Sequence, residues 1–407
     1  MKYFGTDGIR SLYGEELLVN AYKLGRALSL RGNRILLAVD GRENGEEVAS
    51  GFAGGVFDGG GSLIYLGIAP TPALAYATKN SYDFGVEITA SHNRKEYNGL
   101  KAFDIRGEKL CGNALIEVEK DMDAVDSFCK RPLPKPNPEP LSDYRASFDG
   151  DTIPLKLAVD AAAGAARDFA REALLKRGIN ATFIDGGKEV NDGCGSENPD
   201  NLLSALRDGY DLGVAFDGDG DRLLVADGSG VWQGEKVLYV LAKDMKERGV
   251  LKGKVVVSEM VNKGLISSLK SIGVEVAKCK VGDSNVYAKL KETGGNLGGE
   301  PSGHIIVNGE QADALKNALR ICKIVYSNKR FDEGLNLLPE KCFVVPYSDA
   351  TLNAVNETAE MWRGYLGEKG NIRVRVSGTE PVIRVKVEAV NERLVNEIVA
   401  DLKRKKR

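Results

Sequence analysis

Residues 82–93 read YDFGVEITASHN and residues 210–222 read YDLGVAFDGDGDR. Each is an aromatic–acid pair, a short apolar run, and then a loop dense in polar groups. A short apolar run with β-branched residues and no alternating polar face suits a strand covered on both sides. Upstream of each, the same order of signals recurs. ILLAVD (35–40), LKLAVD (155–160) and KVVVSE (254–259) are strand-like runs closed by an acid. Gly-led second strands follow at Gly60 (GGSLIYLG), Gly178 (GINATFID) and Gly273 (GVEVAKCKVG), and GGNLGGEPSGH (294–304) takes the third position of the last copy. Strand–helix–strand–helix–strand, three times over, predicts an α/β protein with an internal repeat. Ligands gather beyond the carboxyl ends of such strands, so the three loops that end these runs are where chemistry is expected.

Residues 131–140, RPLPKPNPEP, cannot continue a helix or a central strand and read as a stiff linker closing the first unit. The expected domains are 1–135, 142–232, 233–335 and 340–407. The last has different punctuation, with VRVSGTEPVIRVKVEA ahead of a helical stretch ending in KRKKR, a solvated basic helix end.

A chain of 407 residues should hold about two to four domains. Lys and Arg number 56 against 58 Asp and Glu, a formal charge of −2, which argues against nucleic acid or an anionic membrane as partner. With 43% apolar and 28% charged residues the composition is that of a globular protein. The opening MKYFGTDGIR has no apolar signal region, and no run approaches the ~18 apolar residues of a membrane span. The 6 cysteines lie far apart without a C-x-x-C pair and read as reduced thiols in a cytoplasmic protein.

Four loops carry candidate chemistry. In the first, Thr89-Ala-Ser91-His92-Asn93 precedes Asn98-Gly-Leu-Lys101; the serine suits a nucleophile or phosphate carrier, or a polar turn. The second, Asp217-Gly-Asp219-Gly-Asp221-Arg222, sets carboxylates at i, i+2 and i+4 with flexible glycines between them. Oxygen-only ligands of this kind select a hard ion such as Mg²⁺, the alternative being a solvated acidic turn. In the third, Gly299-Glu300-Pro-Ser302-Gly-His304, a carboxylate and a hydroxyl two apart suit vicinal sugar hydroxyls. The chain's 2 histidines thus both sit in strand-end loops. The fourth, Arg375-Val-Ser377-Gly378-Thr379-Glu-Pro, with Arg384 beyond it, offers a guanidinium fork, hydroxyls and close N–H groups to a phosphate. Neither a Walker loop nor a dinucleotide-binding G-x-G-x-x-G occurs.

In this order these loops resemble the α-D-phosphohexomutase superfamily over essentially the whole chain. The opening Phe4-Gly-Thr-Asp-Gly-Ile-Arg10 and the closing SGTEPVIRVKVEA look most like its phosphoglucosamine mutase branch, the phosphomannomutase/phosphoglucomutase branch being the alternative. The resemblance implies three similar α/β domains with mixed sheets and a smaller C-terminal α+β domain around a central cleft. It implies transfer of a phosphoryl group between O6 and O1 of a hexose through a 1,6-bisphosphate, which also serves as activator. Carried over by position, Ser91 is the phosphoserine, and Asp217, Asp219 and Asp221 hold Mg²⁺ with it. Arg222 lies by the transferring group, and Glu300 and Ser302 grip sugar hydroxyls. Arg375, Ser377, Gly378, Thr379 and Arg384 hold the other phosphate. Arg10, His92, Lys101 and His304 are the candidates for proton transfer and charge neutralisation. The implied partner is a phosphosugar, and the implied state is a monomer or homodimer. Departures from the family pattern are Ser11, Arg94, Pro301 and Val376, and Ser284, where a basic residue is common and for which Lys278 or Lys280 would substitute.

Overall fold

The computed structural model describes residues 2–5, 7–185, 189–327, 330–377 and 381–404. The three apolar runs of each repeat form strands, and each repeat builds its sheet in the same spatial order. The first sheet contains β1 (Ile9–Leu12), β2 (Arg34–Val39), β3 (Ser62–Ile68), β4 (Phe84–Ile88) and β5 (Tyr97–Asp104), ordered β1-β5-β4-β2-β3. The second contains β6 (Lys156–Asp160), β7 (Asn180–Phe183), β8 (Leu212–Phe216), β9 (Leu223–Asp227) and β10 (Gly230–Trp232), ordered β10-β9-β8-β6-β7. The third contains β11 (Val255–Ser258), β12 (Val276–Cys279), β13 (Leu297–Gly299) and β14 (Ile305–Val307), ordered β12-β11-β13-β14.

In each sheet the first strand of the repeat pairs in parallel with the third: β2 with β4, β6 with β8, β11 with β13. The third strand then turns directly into an antiparallel partner: β4 into β5, β8 into β9, β13 into β14. A connection too short for a crossover helix can join only antiparallel neighbours, so the sheets are mixed. The candidate loops around Ser91, Asp217–Arg222 and Glu300–His304 are therefore equivalent turns, one per repeat.

Two compact units make up the chain, Met1–Ser258 with Ala277–Phe331, and Glu259–Val276 with Asp332–Arg407. In the first unit, β2 and β4 bury Ile35, Leu37, Val86 and Ile88 in a core shared with Leu17, Leu24 and Phe52 of the helices Glu15–Ser29 and Gly45–Asp58. The Pro-rich segment has no regular structure up to Pro138, but it is strapped down. The Arg131 N–H donates to Ser50 O at 3.0 Å and the Asn137 N–H to Tyr65 O at 2.7 Å.

The second unit is α+β. Its antiparallel sheet, β15 (Glu340–Pro346), β16 (Gly370–Val376) and β17 (Val382–Ala389), has the order β15-β17-β16. The helices Asp349–Leu366 and Glu392–Arg404 pack Val355, Ile398 and Leu402 against Val345, Ile383 and Val387. The helix Lys263–Ser271 belongs to this unit: Asn262 caps it by accepting from the Gly264 N–H and donates to Leu338 O at 2.9 Å. No helix among the described residues is long and apolar enough to cross a membrane.

Candidate active site

Ser91 stands early in the first repeat's turn, in the left-handed region with φ +52°, a conformation that costs a side-chain-bearing residue about 1–2 kcal/mol. That setting aims its buried hydroxyl at the second repeat's turn, where Ser91 Oγ donates to Asp217 Oδ2 at 2.6 Å. The other oxygen of Asp217 accepts the N–H groups of Asp221 and Arg222, each at 3.1 Å, which curls the acidic turn over itself. Gly218 is required there, because a Cβ would stand 2.8 Å from Ser91 O.

Three consecutive carbonyls of this turn are held by three different segments of the first unit. Gly218 O accepts from Ala165 N, Asp219 O from Thr71 N and Gly220 O from Ala314 N, at 2.9, 2.9 and 3.1 Å. Thr71 opens the helix Thr71–Thr78 and Ala314 the helix Ala314–Ser327. The third repeat's turn joins as well, with Leu223 N donating to Gly303 O at 3.1 Å.

The buried carboxylates Asp217, Asp219 and Asp221 each bring one oxygen to within 4.8 Å of the others. Oδ1 of Asp219 and Oδ1 of Asp221 are buried without a hydrogen-bond partner among the described residues. Orphaned, mutually repelling carboxylate oxygens fit a hard divalent cation. Burial, and then the charges of Asp221 and Asp219, push the Asp217 carboxyl well above the usual range. Burial also opposes charge on Asp221, yet Lys101 and His304 outweigh it and hold that carboxyl well below its usual range. A bound cation acts on all three in the opposite sense to their mutual repulsion.

Lys101 reaches in from β5, its Nζ 2.6 Å from Asp219 Oδ2 and 2.7 Å from Asp221 Oδ2. Burial disfavours its charge, but Asp219, Asp221 and Asp7 prevail and raise its pKa well above the ordinary value, so it is an ammonium. The two histidines are set oppositely. Burial, with Arg222 and Arg10 nearby, lowers His92 to about 3, leaving it neutral with Nδ1 at 3.4 Å from Ser91 Oγ. Burial opposes charge on His304 too, but Asp221, at 3.5 Å from its Nε2, and Asp283 raise it. Arg222 Nε lies 3.9 Å from Asp217 Oδ2.

Arg10 joins this group through Asp7, which it pairs with directly. Glu300 accepts the Gly282 N–H at 3.1 Å, and Ser302 is exposed in the same turn. In the second unit, Arg375 on β16 and Arg384 on β17 are register partners, and the Ser377 N–H donates to Val382 O at 2.9 Å. Gly378 and Thr379 lie outside the described residues.

Several participants escaped the sequence reading. Asp7, inside the quoted opening stretch, is contacted by Lys109, which also pairs with Asp283 beside Ser284. Lys109, half-buried, thus pairs with the residue next to that departure, whereas Lys278 and Lys280 are exposed. Thr71 donates to Asp219 Oδ2 at 2.6 Å. Arg42 and Asn191 both bond the Ser91 carbonyl. Only the Asp-Gly-Arg run after β2 offered a signal, and it resembles an ordinary turn.

Family models described as phosphoglucomutase/phosphomannomutase match the chain from end to end: alpha/beta/alpha domain I at 1–128, domain II at 143–230, domain III at 233–342 and the C-terminal domain at 345–405. The chain belongs to the phosphoglucomutase/phosphomannomutase family. A phosphoglucosamine mutase of Clostridium acetobutylicum is 34% identical to this family member, with 98% of each chain covered. Among solved structures, a phosphoglucomutase/phosphomannomutase family protein from Burkholderia thailandensis superposes with TM-score 0.82 at 24% identity, covering 98% of this chain and 96% of that one. Aspergillus fumigatus N-acetylphosphoglucosamine mutase, solved with GlcNAc-6P and magnesium, gives TM-score 0.65 at 14% identity, covering 99% and 95%. These two likenesses concern the fold. It is the expected one, three α/β sheets and a smaller C-terminal α+β portion.

Proposed function

We propose that this phosphohexomutase family member interconverts glucosamine 6-phosphate and glucosamine 1-phosphate through a phosphorylated Ser91 and a 1,6-bisphosphate. The observation that carries the reading is the contact of the Ser91 hydroxyl with a buried triad of carboxylates that has oxygens to spare. The phosphoglucosamine mutase relatives favour the amino sugar, with 34% identity in one case and 35% in another.

Asp217, Asp219 and Asp221, with the phosphate on Ser91, would hold Mg²⁺, the ion named for the Aspergillus relative. A bound Mg²⁺ neutralises charge on a transferring phosphoryl group. The chain's own groups do the rest. Lys101, against Asp219 and Asp221, and Arg222, near the Asp217 oxygen that Ser91 Oγ bonds, present fixed positive charge around the triad, and fixed charge of this kind needs no reorganisation during transfer. His92, neutral beside Ser91 Oγ, and His304, whose charged form Asp221 favours, supply groups of different proton affinity for the sugar hydroxyls. Arg10 offsets the negative charge gathered around Asp7. In this reading residues 1–135 carry the phosphoserine, 142–232 the ion, 233–335 the sugar contacts of Glu300 and Ser302, and 340–407 the distal phosphate on Arg375, Ser377, Gly378, Thr379 and Arg384.

The test is a coupled assay with glucosamine, mannose and glucose phosphates, Mg²⁺ and catalytic amounts of the matching 1,6-bisphosphate. Turnover highest with glucosamine 6-phosphate, an intact-mass increment of one phosphate and its loss in Ser91→Ala are expected. Higher turnover with mannose or glucose phosphate would reassign the substrate. Steady release of inorganic phosphate without isomerisation would make the protein a phosphatase.

A further inference from the structure

Ser91 sits in a backbone conformation that its own side chain disfavours, so something else must hold it there. We infer that Arg42 is a positioning residue that fixes the reactive serine, working through a closed ring of buried hydrogen bonds with Asp40 and Thr89. The inference rests on the phosphoserine reading above and adds to it a residue that touches neither sugar nor ion.

A guanidinium has five N–H donors, and Arg42 uses every one. Nε donates to Asp40 Oδ2 at 2.9 Å. Nη2 donates to Ser91 O and Asn93 O, both at 2.9 Å, and Nη1 to Arg94 O at 2.7 Å and Tyr97 O at 2.9 Å. Four carbonyls of one turn thus converge on one side chain, which is 1% exposed. The ring closes on the amide side. The Ser91 N–H donates to Thr89 Oγ1 at 2.8 Å, and Thr89 Oγ1 donates to Asp40 Oδ2 at 2.7 Å, the oxygen that also receives Arg42 Nε. Both polar groups of the Ser91 backbone are therefore tied to the Arg42–Asp40 pair, one directly and one through a threonine.

A second donor stands across the carbonyl. Asn191, from the second repeat, donates to Ser91 O at 2.6 Å and to Asn93 O at 3.1 Å. Two independent hydrogen bonds on one carbonyl oxygen fill both lone pairs and fix the plane of the peptide that follows Ser91. Lysine cannot replace the arginine, because a single ammonium with three donors cannot reach four carbonyls spread along a turn.

Misplacing a reacting oxygen by about 1 Å costs on the order of 10²-fold in rate, while contacts to the rest of the sugar are untouched. The expected signature is a loss in kcat with KM preserved. The enzyme, with Mg²⁺ and bisphosphate, is assayed as wild type, Arg42→Lys, Asn191→Ala and the double variant. The same samples are followed by amide hydrogen exchange over residues 89–97 and by thermal unfolding. Arg42→Lys should lower kcat by about 30-fold or more and Asn191→Ala by several-fold, with KM within about three-fold and faster exchange confined to 89–97. Their effects on kcat should be non-multiplicative, because both act on one carbonyl. A folded Arg42→Lys with near-normal kcat overturns the inference. Should Arg42→Lys fail to fold, an Asn191→Ala enzyme with unchanged kcat and unchanged exchange does so. Absence of mutase turnover in the wild type would sink the functional reading instead, and the exchange measurement would still decide whether Arg42 sets the loop.

Discussion

Ser91 Oγ and Asp217 Oδ2 stand 2.6 Å apart, although 126 positions separate the residues in the chain. A phosphate on that serine adds about −1.5 to −2 charge directly against a buried carboxylate, so the phosphorylated state and the cation must favour each other. Titrating Mg²⁺ calorimetrically into phosphorylated and dephosphorylated enzyme should give at least ~10-fold tighter binding to the former. Equal affinities would mean that the ion does not sit between the two groups.

Asp219 presents an orphaned Oδ1 and tethers Lys101 through Oδ2. Asp219→Asn keeps the shape and removes a charge. The Mg²⁺ concentration needed for half-maximal turnover should rise by ~10-fold or more. An unaltered Mg²⁺ titration would refute the role of this carboxylate in the clamp.

Glu87 is fully buried, with neither carboxyl oxygen partnered among the described residues, on the strand position opposite Lys101. Burial, then Asp219 and Asp40, raise its pKa well above 4.5. Below pH 4.5 the group is protonated folded and unfolded alike and costs nothing. As pH rises from there the unfolded chain gives up its proton and the folded chain keeps it, so stability falls by about 1.4 kcal/mol per pH unit until the folded pKa is reached. Denaturant midpoints for wild type and Glu87→Gln should converge near pH 4.5 and separate in favour of the variant toward pH 7. A variant less stable at pH 7 would show that Glu87 is ionised and paired.

Ala162 and Ala163 hold φ of +56° and +49° between β6 and the next helix. Asparagine tolerates this region better than alanine, without glycine's extra freedom in the unfolded chain. Ala163, the less buried of the two, should accept the change: Ala163→Asn should gain about 1 kcal/mol, read as a raised melting temperature. A lowered one would contradict the strain assigned to this turn.

Gly164 lies in the same turn, where a Cβ would approach Gly218 O to 2.3 Å. Gly164→Ala should therefore displace the acidic turn, lowering stability by about 1–3 kcal/mol and weakening Mg²⁺ binding together. Loss of stability with normal Mg²⁺ affinity would separate the turn's packing from its chemistry.

The repeat was legible because each copy advertises itself locally: apolar strand, punctuating glycine, polar turn. Ser91 and the three aspartates were legible for the same reason, as their spacing is short and chemically unusual. Arg42, Asn191, Asp7 and Lys109 were not, since the contacts that bring each to the site are made with residues far away in sequence and each looks like an ordinary turn or surface residue alone. Glu87 interrupts an apolar strand, but nothing in the spacing reveals that its neighbours are other acids. The protonation states of His92 and His304 depend on which charges the fold sets beside them, and no local pattern carries that.

Residues 218–220 give up their carbonyls one after another to Ala165, Thr71 and Ala314. Heredity can therefore rewrite the outer helices and rims of the three repeats with some liberty, but not the lengths of chain that bring those three amides to a single knot. A chain trimmed or extended there would lose its geometry before it lost any reactive group.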